Sequence, residues 1–425
     1  MSKRTYRAVS VNDVTAAFAL LQKEVRRDEL VIVAVDVAKT DNKAAIIQCG
    51  KVLRTVGWKA PQESKQFVDV VSGLRALTRV EVVLESTGTY GDPLRAQMEL
   101  IEVPVFRVSA KHAHDAAEVF DGVPSMHDAK AAHLLGWLHV QGRSQRWVTK
   151  STEDRDLAAA AETYELHNAQ FMACLGRLEA KLARHFPELT KVLGLENAST
   201  LALLEKFGSP ARIVADAGAA ELLVCSIGGK LLDPAKARQA VTAARTTQGL
   251  RMTSGESAML QRFAAEANRQ RLLKAAAKKV LEDHAAKSEP IRRVASVIGA
   301  ATAALIHVEA GDPASYAAPQ AYVKALGLNL KEKSSGQHQG QLKITKRGAP
   351  LARKYLYLAV LRLLQSEPLF KAWYARKVDR EGGKRKLKAV VALMRKLASA
   401  LWYVARGDAF DPAKLFDARR LGLAT

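Results

Sequence analysis

Two acidic side chains end runs that read as buried strands, and their placement sets the chemistry the chain could perform. Asp36 closes Leu30-Val-Ile-Val-Ala-Val-Asp36, and Glu85 closes Val80-Glu-Val-Val-Leu-Glu85. In an open α/β sheet the ends of neighbouring strands form the crevice where ligands bind, so the two carboxylates could meet there. Carboxylates grouped around one or two Mg2+ ions are what phosphoryl transfer on nucleic acid needs, because the metal stabilises both the attacking and the leaving oxygen. Taken alone, the pair is equally compatible with strand-end carboxylates that cap a helix or pair with Lys39 or Lys43. A third carboxylate, Asp128 in Gly122-Val-Pro-Ser-Met-His-Asp-Ala-Lys130, stands at the start of a helix that can project back toward the sheet. Ser125 and Asp128, three residues apart, also fit a capping box, which would make Asp128 a helix-start residue only. Asp121 and Asp115 are further candidates nearby.

The elements that must position these residues fall into three blocks. Between about 28 and 145, strand-like and helix-like patterns alternate. Ala44–Gln48 and Val52–Val56 read as a hairpin after the first run, Gln62–Leu77 has helical spacing, and Pro104–Val108 is a fifth strand candidate. Helix-like stretches then run to about Phe120 and from Ser125 to Val140. This is an α/β arrangement. Residues 151–290 are rich in Ala, Leu, Glu, Gln, Lys and Arg, and Leu157–Phe186 and Glu256–His284 are long enough for paired or coiled-coil helices. The third block, 291–425, opens with Val297-Ile-Gly-Ala-Ala-Thr-Ala-Ala-Leu305, a glycine turn into a helix like those of helix-hairpin-helix elements that offer backbone N–H groups to phosphates.

Charge points the same way. The 425 residues hold 65 Lys and Arg against 43 Asp and Glu, a net charge of +22. Residues 331–425 contribute 22 basic and 7 acidic side chains, so most of the excess lies in the last quarter of the chain, the footprint of a discrete polyanion-binding surface. Trp373, Tyr374, Trp402 and Tyr403 interleave with it, unlike a disordered basic tail. A hydrophobic fraction of 48% excludes wholesale disorder, and three scattered cysteines give neither a disulfide framework nor a thiolate zinc site. No apolar run reaches the roughly 18 residues of a membrane span. The expectation is a cytoplasmic protein with no membrane partner.

Read in order, Val35-Asp36-Val-Ala-Lys39, Glu85-Ser-Thr-Gly-Thr-Tyr90, His127-Asp-Ala-Lys130, Ile298-Gly-Ala-Ala-Thr-Ala303, Tyr322-Val-Lys-Ala-Leu-Gly-Leu328, Ser335-Gly336 and Ile344-Thr-Lys-Arg-Gly348 resemble the DEDD-type insertion-sequence transposases, the insertion-sequence one-ten family, which also contains the Piv-type DNA invertases. The resemblance spans nearly the whole chain. It implies an RNase H-like (RuvC-like) domain over 28–145 with a Mg2+-binding acidic tetrad, a helical coiled-coil region over 151–290, and a mainly α C-terminal domain over 291–425 that supplies a catalytic serine. It further implies recombination guided by a bridge RNA. One departure concerns the tetrad. The family has two aspartates three residues apart before Ala, and here the second matches Asp128 while the first falls on Ser125, so Asp121 or another carboxylate supplies the fourth ligand, or the site works with three.

Ser335 matches the position of the family's serine. Its hydroxyl is a weak nucleophile until its proton is removed, but attack on a phosphodiester gives a phosphoserine that conserves bond energy for rejoining. Lys343, Lys346, Arg347 and Arg353 are at hand to neutralise phosphates. The expected protein is therefore a DNA transposase or recombinase that binds donor and target DNA and a guide RNA, with Asp36, Glu85, Asp128 and Asp121 as Mg2+ ligands. Strand exchange needs several active sites together, so a dimer or tetramer on DNA is expected. The rival readings are a RuvC-like structure-specific nuclease, which would not need Ser335, and a non-catalytic nucleic-acid-binding protein that keeps the fold.

Overall fold

A computed structural model describes residues 6–85, 88–123, 127–332, 340 and 342–416. The chain divides into two compact units, Met1–Thr149 and Lys150–Thr425. The first is α/β and the second is largely helical, the coarse division expected from the sequence.

The first unit is built on β1 (Val9–Ser10), β2 (Val31–Asp36), β3 (Asp41–Gln48), β4 (Lys51–Lys59), β5 (Val80–Glu85), β6 (Val105–Val108) and β7 (Ser144–Arg146), in the sheet order β1-β4-β3-β2-β5-β6-β7. Strands β2, β3 and β4 form an antiparallel meander, whereas β5 runs parallel to β2 and β6 parallel to β5. Helices α1 (Val11–Ala16), α2 (Phe18–Glu24), α3 (Ser64–Arg75) and α4 (Asp92–Leu100) accompany α5 (Ala110–Asp121) and α6 (Asp128–Val140). Along β2 the side chains alternate between two cores. Val31, Val33 and Val35 pack with Phe67, Val70 and Leu74 of α3, while Ile32 and Ala34 pack with Leu134, Leu135 and Leu138 of α6. Burial on both faces is why the central strands read as near-continuous apolar runs. The hairpin strands extend three residues beyond the expected ends, to Asp41 and Lys59, because their ladder continues through Asn42 and Trp58.

In the second unit, α7 (Thr152–His185) and α13 (Ser254–Lys287) pack antiparallel. Each has 34 residues, about 50 Å at 1.5 Å per residue. Ser151 caps the first, and a Thr253–Glu256 capping box starts the second. One end of the pair, with Phe171, Leu178, Leu260 and Ala264, shares a core with α8 (Leu189–Val192), α9 (Ala198–Phe207), α10 (Pro210–Ala215), α11 (Ala217–Gly228) and α12 (Pro234–Thr246). The other end, with Leu157, Ala161, Leu281 and Ala285, enters a core shared by α14 (Glu289–Ile298), α15 (Ala300–Ala310), α16 (Pro319–Ala325), α17 (Pro350–Ser366), α18 (Pro368–Arg380) and α19 (Lys386–Ala405). Gly299 alone joins α14 to α15, and Arg362 secures the turn by donating to the Ile298 carbonyl (3.0 Å) and to Thr302 Oγ1 (2.7 Å).

Between α16 and α17 a short stalk is formed by β8 (Leu330–Lys331) and β9 (Lys343–Ile344). Below it two chain segments cross closely. Lys346 N–H donates to the Gly327 carbonyl (3.0 Å), and Ala349 N–H donates to that of Ala325 (3.1 Å). Gly348 has φ +137°, and a Cβ there would lie 2.0 Å from the Ala325 oxygen, so no other residue fits without moving backbone. Gly348→Ala is accordingly expected to cost about 2 kcal/mol or more, since strain and a backbone clash act together. Gly382→Ala, at φ +72° with open space around it, should cost only about 1 kcal/mol. Denaturant midpoints of the two variants check the difference, which vanishes if the crossing is loose in solution.

Candidate active site

The alternation along the strands decides where the carboxylates point. Asp36 continues the series Ile32, Ala34 that faces α6, and Glu85 continues the series of Val83 on the same face. Glu81, in that series too, accepts a hydrogen bond from the ring of His139 near the C-terminal end of α6 (2.8 Å), which fixes the far end of the helix over the opposite end of these strands. Asp128 is the first residue of α6. The three carboxylates thereby share one electrostatic neighbourhood. Burial pushes the Asp36 carboxyl up to about 6, and the charges of Asp128 and Glu85 add to the shift. Burial also raises Glu85. Among the described residues none of the three has a hydrogen-bonding or ionic side-chain partner, and neither Lys39 nor Lys43 pairs with Asp36.

The start of α6 is held by a separate polar network. His127 is the N-cap, its Nδ1 accepting the Lys130 N–H (3.2 Å), so the cap is not the Ser125–Asp128 box. Ser125 itself lies outside the described residues. Lys130, only 2% exposed, donates from Nζ to Asp121 Oδ1 (2.7 Å) and to the Val123 carbonyl (2.5 Å). Tyr6 donates to Asp121 Oδ2 (2.7 Å), and Val123 N–H donates to Oδ1 (3.0 Å). Both Asp121 oxygens are thus engaged, and the hydrogen bond from Lys130, followed by that from Tyr6, holds its carboxyl down to about 2. Asp121 ties the end of α5 to α6. Asp115 pairs with Lys111 on the α5 surface (2.6 Å). Tyr6 and Lys130 were invisible as partners in the sequence, since 115 residues separate Tyr6 from Asp121.

Among the described residues no three His, Cys, Asp or Glu side chains converge closely enough to form a ready-made ion cage. The donor set nevertheless suits a hard divalent cation in kind: carboxylate oxygens without partners, one of them raised by burial and then by its neighbours' charge. Mg2+ commonly binds through one or two protein carboxylates and completes its shell with water and substrate phosphates, so it does not require a closed cage.

Ser335, Ser334 and Gly336 lie outside the described residues, and the β8–β9 stalk brackets the segment that contains them. Lys343, Lys346 and Arg347 are exposed at that stalk. Arg353 is turned to a structural use, donating to the Leu326 (3.0 Å) and Gly348 (3.1 Å) carbonyls beneath it. A second basic surface lies at the turn from α18 to α19, where residues 382–388 are all exposed. Glu381 there pairs with Lys377 (2.8 Å) and Lys388 (2.7 Å), whose hydrogen bonds hold its carboxyl at about 2. Arg376, Arg380, Lys384 and Lys386 have no acidic partner among the described residues. The count of charges had located the basic quarter of the chain but could not separate paired from unpaired cations.

In comparison with known proteins, residues 294–375 match the sequence model of the transposase IS116/IS110/IS902 family. The matched stretch runs from α14 into α18 and takes in the Gly299 turn, the stalk and the segment with Ser335. No curated protein matches the chain. No helix among the described residues is long and apolar enough to cross a membrane. Within the second unit, residues 294–375 are thus similar to the transposase IS116/IS110/IS902 family, a match consistent with an IS110-family transposase.

Proposed function

We propose that the protein is a DNA transposase that cuts and rejoins strands in a Mg2+-dependent reaction, with Asp36, Glu85 and Asp128 as the metal-holding carboxylates and Ser335 as nucleophile. The observation that carries the metal assignment is the gathering of three carboxylates without partners at one end of the sheet, in a chain with a transposase domain. An antiparallel meander of β2, β3 and β4, with β5 and β6 added in parallel beside β2, supports reading the first unit as RNase H-like. When bound, Mg2+ would offset the charge of the carboxylates and polarise the scissile phosphate. Ser335 passes its hydroxyl proton to solvent, its oxygen bonds to phosphorus, and the strand's own oxygen departs and takes up a proton from solvent. The resulting phosphoserine ester is opened in turn by the incoming strand's hydroxyl, which restores the serine. The exposed cations at the stalk and at the α18–α19 turn suit the phosphates of donor and target DNA and of a guide RNA encoded by the element. Exchange between two duplexes calls for more than one copy of the chain, a dimer or a tetramer on DNA.

Asp36→Ala and Glu85→Ala should each abolish recombination in a plasmid assay, yet bind DNA as the unaltered protein does. Asp36→Ala should melt no lower than the unaltered protein, because it removes a charge that burial and repulsion disfavour. Recombination at the normal rate by either variant contradicts the metal assignment. Ser335→Ala should prevent the protein–DNA adduct seen on a denaturing gel with end-labelled DNA, whereas Ser334→Ala should be much milder. An adduct that survives loss of Ser335 and disappears with Ser334 exchanges their roles, and cutting without any adduct favours the nuclease reading.

RNA transcribed from the element's own flanks should bind more tightly than unrelated RNA of equal length, with affinity falling steeply as salt rises. Neutralising Arg380, Lys384 and Lys386 together should flatten the salt dependence by about three phosphate contacts, roughly 2 to 3 units of log–log slope. Equal affinity for both RNAs removes the guide and leaves nonspecific binding.

A further inference from the structure

Residues 37–39 and 89–90, which follow Asp36 and Glu85 in the chain, also wall a cavity of about 470 Å3 that the cutting reaction does not use. That volume is in the range of small-ligand pockets. Val37, Ala38 and Lys39 come directly after Asp36, and Thr89 and Tyr90 follow Glu85, so one edge of the sheet serves both features. The carboxylates face α6, whereas the cavity opens on the other side of that edge, against α3 and α4.

Its chemistry is that of a flat, partly apolar guest with hydrogen-bonding edges. Trp58, 4% exposed and stacked on Phe67 with ring centroids 3.8 Å apart, gives a fixed aromatic wall. Tyr90 stands at the rim with 57% of its surface exposed, free to lie on a second ring. Ser64, Thr89 and Gln97 line the space, and none of their side chains makes a hydrogen bond among the described residues. Asn42 is buried and accepts the Ala38 N–H (2.8 Å), which keeps the Val37–Lys39 loop from collapsing into the cavity. Lys39 has no ion pair, and Lys65 is held only loosely by Asp69 (3.7 Å), so two cations remain for an anion at the entrance.

We propose that this cavity receives one unstacked nucleobase of the DNA strand whose neighbouring phosphate lies at Asp36 and Glu85, with Lys39 and Lys65 on the backbone that crosses the sheet edge. The proposal rests on the reading of the strand ends as a DNA-cutting site. Drawing a base out of the stack grips the strand by a part that a regular duplex hides, and it fixes which phosphate reaches the carboxylates. It is easiest at weakly stacked or mismatched steps, so the cavity would contribute to the choice of cut site.

Duplexes taken from the DNA flanking the coding sequence, each with a single 2-aminopurine at a successive position, test this with the full chain. The fluorescence of that base is quenched by stacking and recovers when it is released. The unaltered protein should brighten one position severalfold and leave the others dim. Leu94 lines the cavity, and Leu94→Trp, which fills it, should abolish the brightening. Tyr90→Ala, at an exposed side chain where folding is not at stake, should reduce it. Asp36→Ala should keep the brightening while losing cleavage. If the protein brightens a base but never cuts, the cutting reading fails and the cavity assignment stands. If it cuts with no position brightened, if it fails to bind the duplexes, or if both cavity variants brighten as before, the cavity assignment is overturned.

Discussion

Half-buried negative charge without a countercharge is energetically costly, and the first unit places two such groups, Asp36 and Glu85, at one end of its sheet beside the exposed Asp128. Asp36 carries the largest burden, because it is the least hydrated and lies within the field of both Asp128 and Glu85. A fold could relieve this by placing a lysine nearby, and Lys43 lies directly across the ladder from Asp36. Its side chain instead runs over Gly57, where its Nζ would lie 2.6 Å from any added Cβ. The chain thus leaves the repulsion unrelieved, a state that costs stability in the free protein and favours a cation supplied from outside.

The surrounding structure keeps that arrangement from relaxing. Two-sided burial locks the register of β2 and β5, and with it the face on which Asp36 and Glu85 emerge. Asp128 is held by α6, whose other contacts are strong and local: His127 at the cap, Lys130 on Asp121, and Glu81 on His139. The acidic residue that does have a cation, Asp121, therefore works as an anchor for the helix. In the second unit the same division recurs with opposite charge. Arg353 and Arg362 are tied to backbone carbonyls and shape the stalk and the Gly299 turn, while Arg380, Lys384 and Lys386 remain open to solvent.

Much of this was legible in the sequence, for identifiable reasons. β2 and β5 are β-branched runs buried on both faces, and α7 and α13 have sustained helical composition, so both kinds of element declare themselves locally. β1 and β7 do not, having two and three residues, all but Val9 polar, that are strands only because a sheet edge accepts them. The strand-end position of Asp36 and Glu85 followed from the pattern alone. The standing of Asp121 did not, because it depends on Tyr6 and Lys130, and nothing in a one-dimensional spacing tells a paired carboxylate from an unpaired one. A histidine at the N-cap was overlooked for a similar reason, since Ser125 offered the more common capping chemistry.

The central claim, that the strand-end carboxylates repel one another and await a divalent cation, is tested most directly by titrating the Asp36 carboxyl with carbon-13 NMR, with and without Mg2+. Without the metal the carboxyl should titrate near pH 6, well above an ordinary aspartate. Its proton is then bound more tightly in the folded than in the unfolded chain, so stability should fall as pH rises from about 4 to 6. Added Mg2+ should move the midpoint down and reverse that loss. An ordinary midpoint near 4 that Mg2+ leaves unmoved would contradict the account.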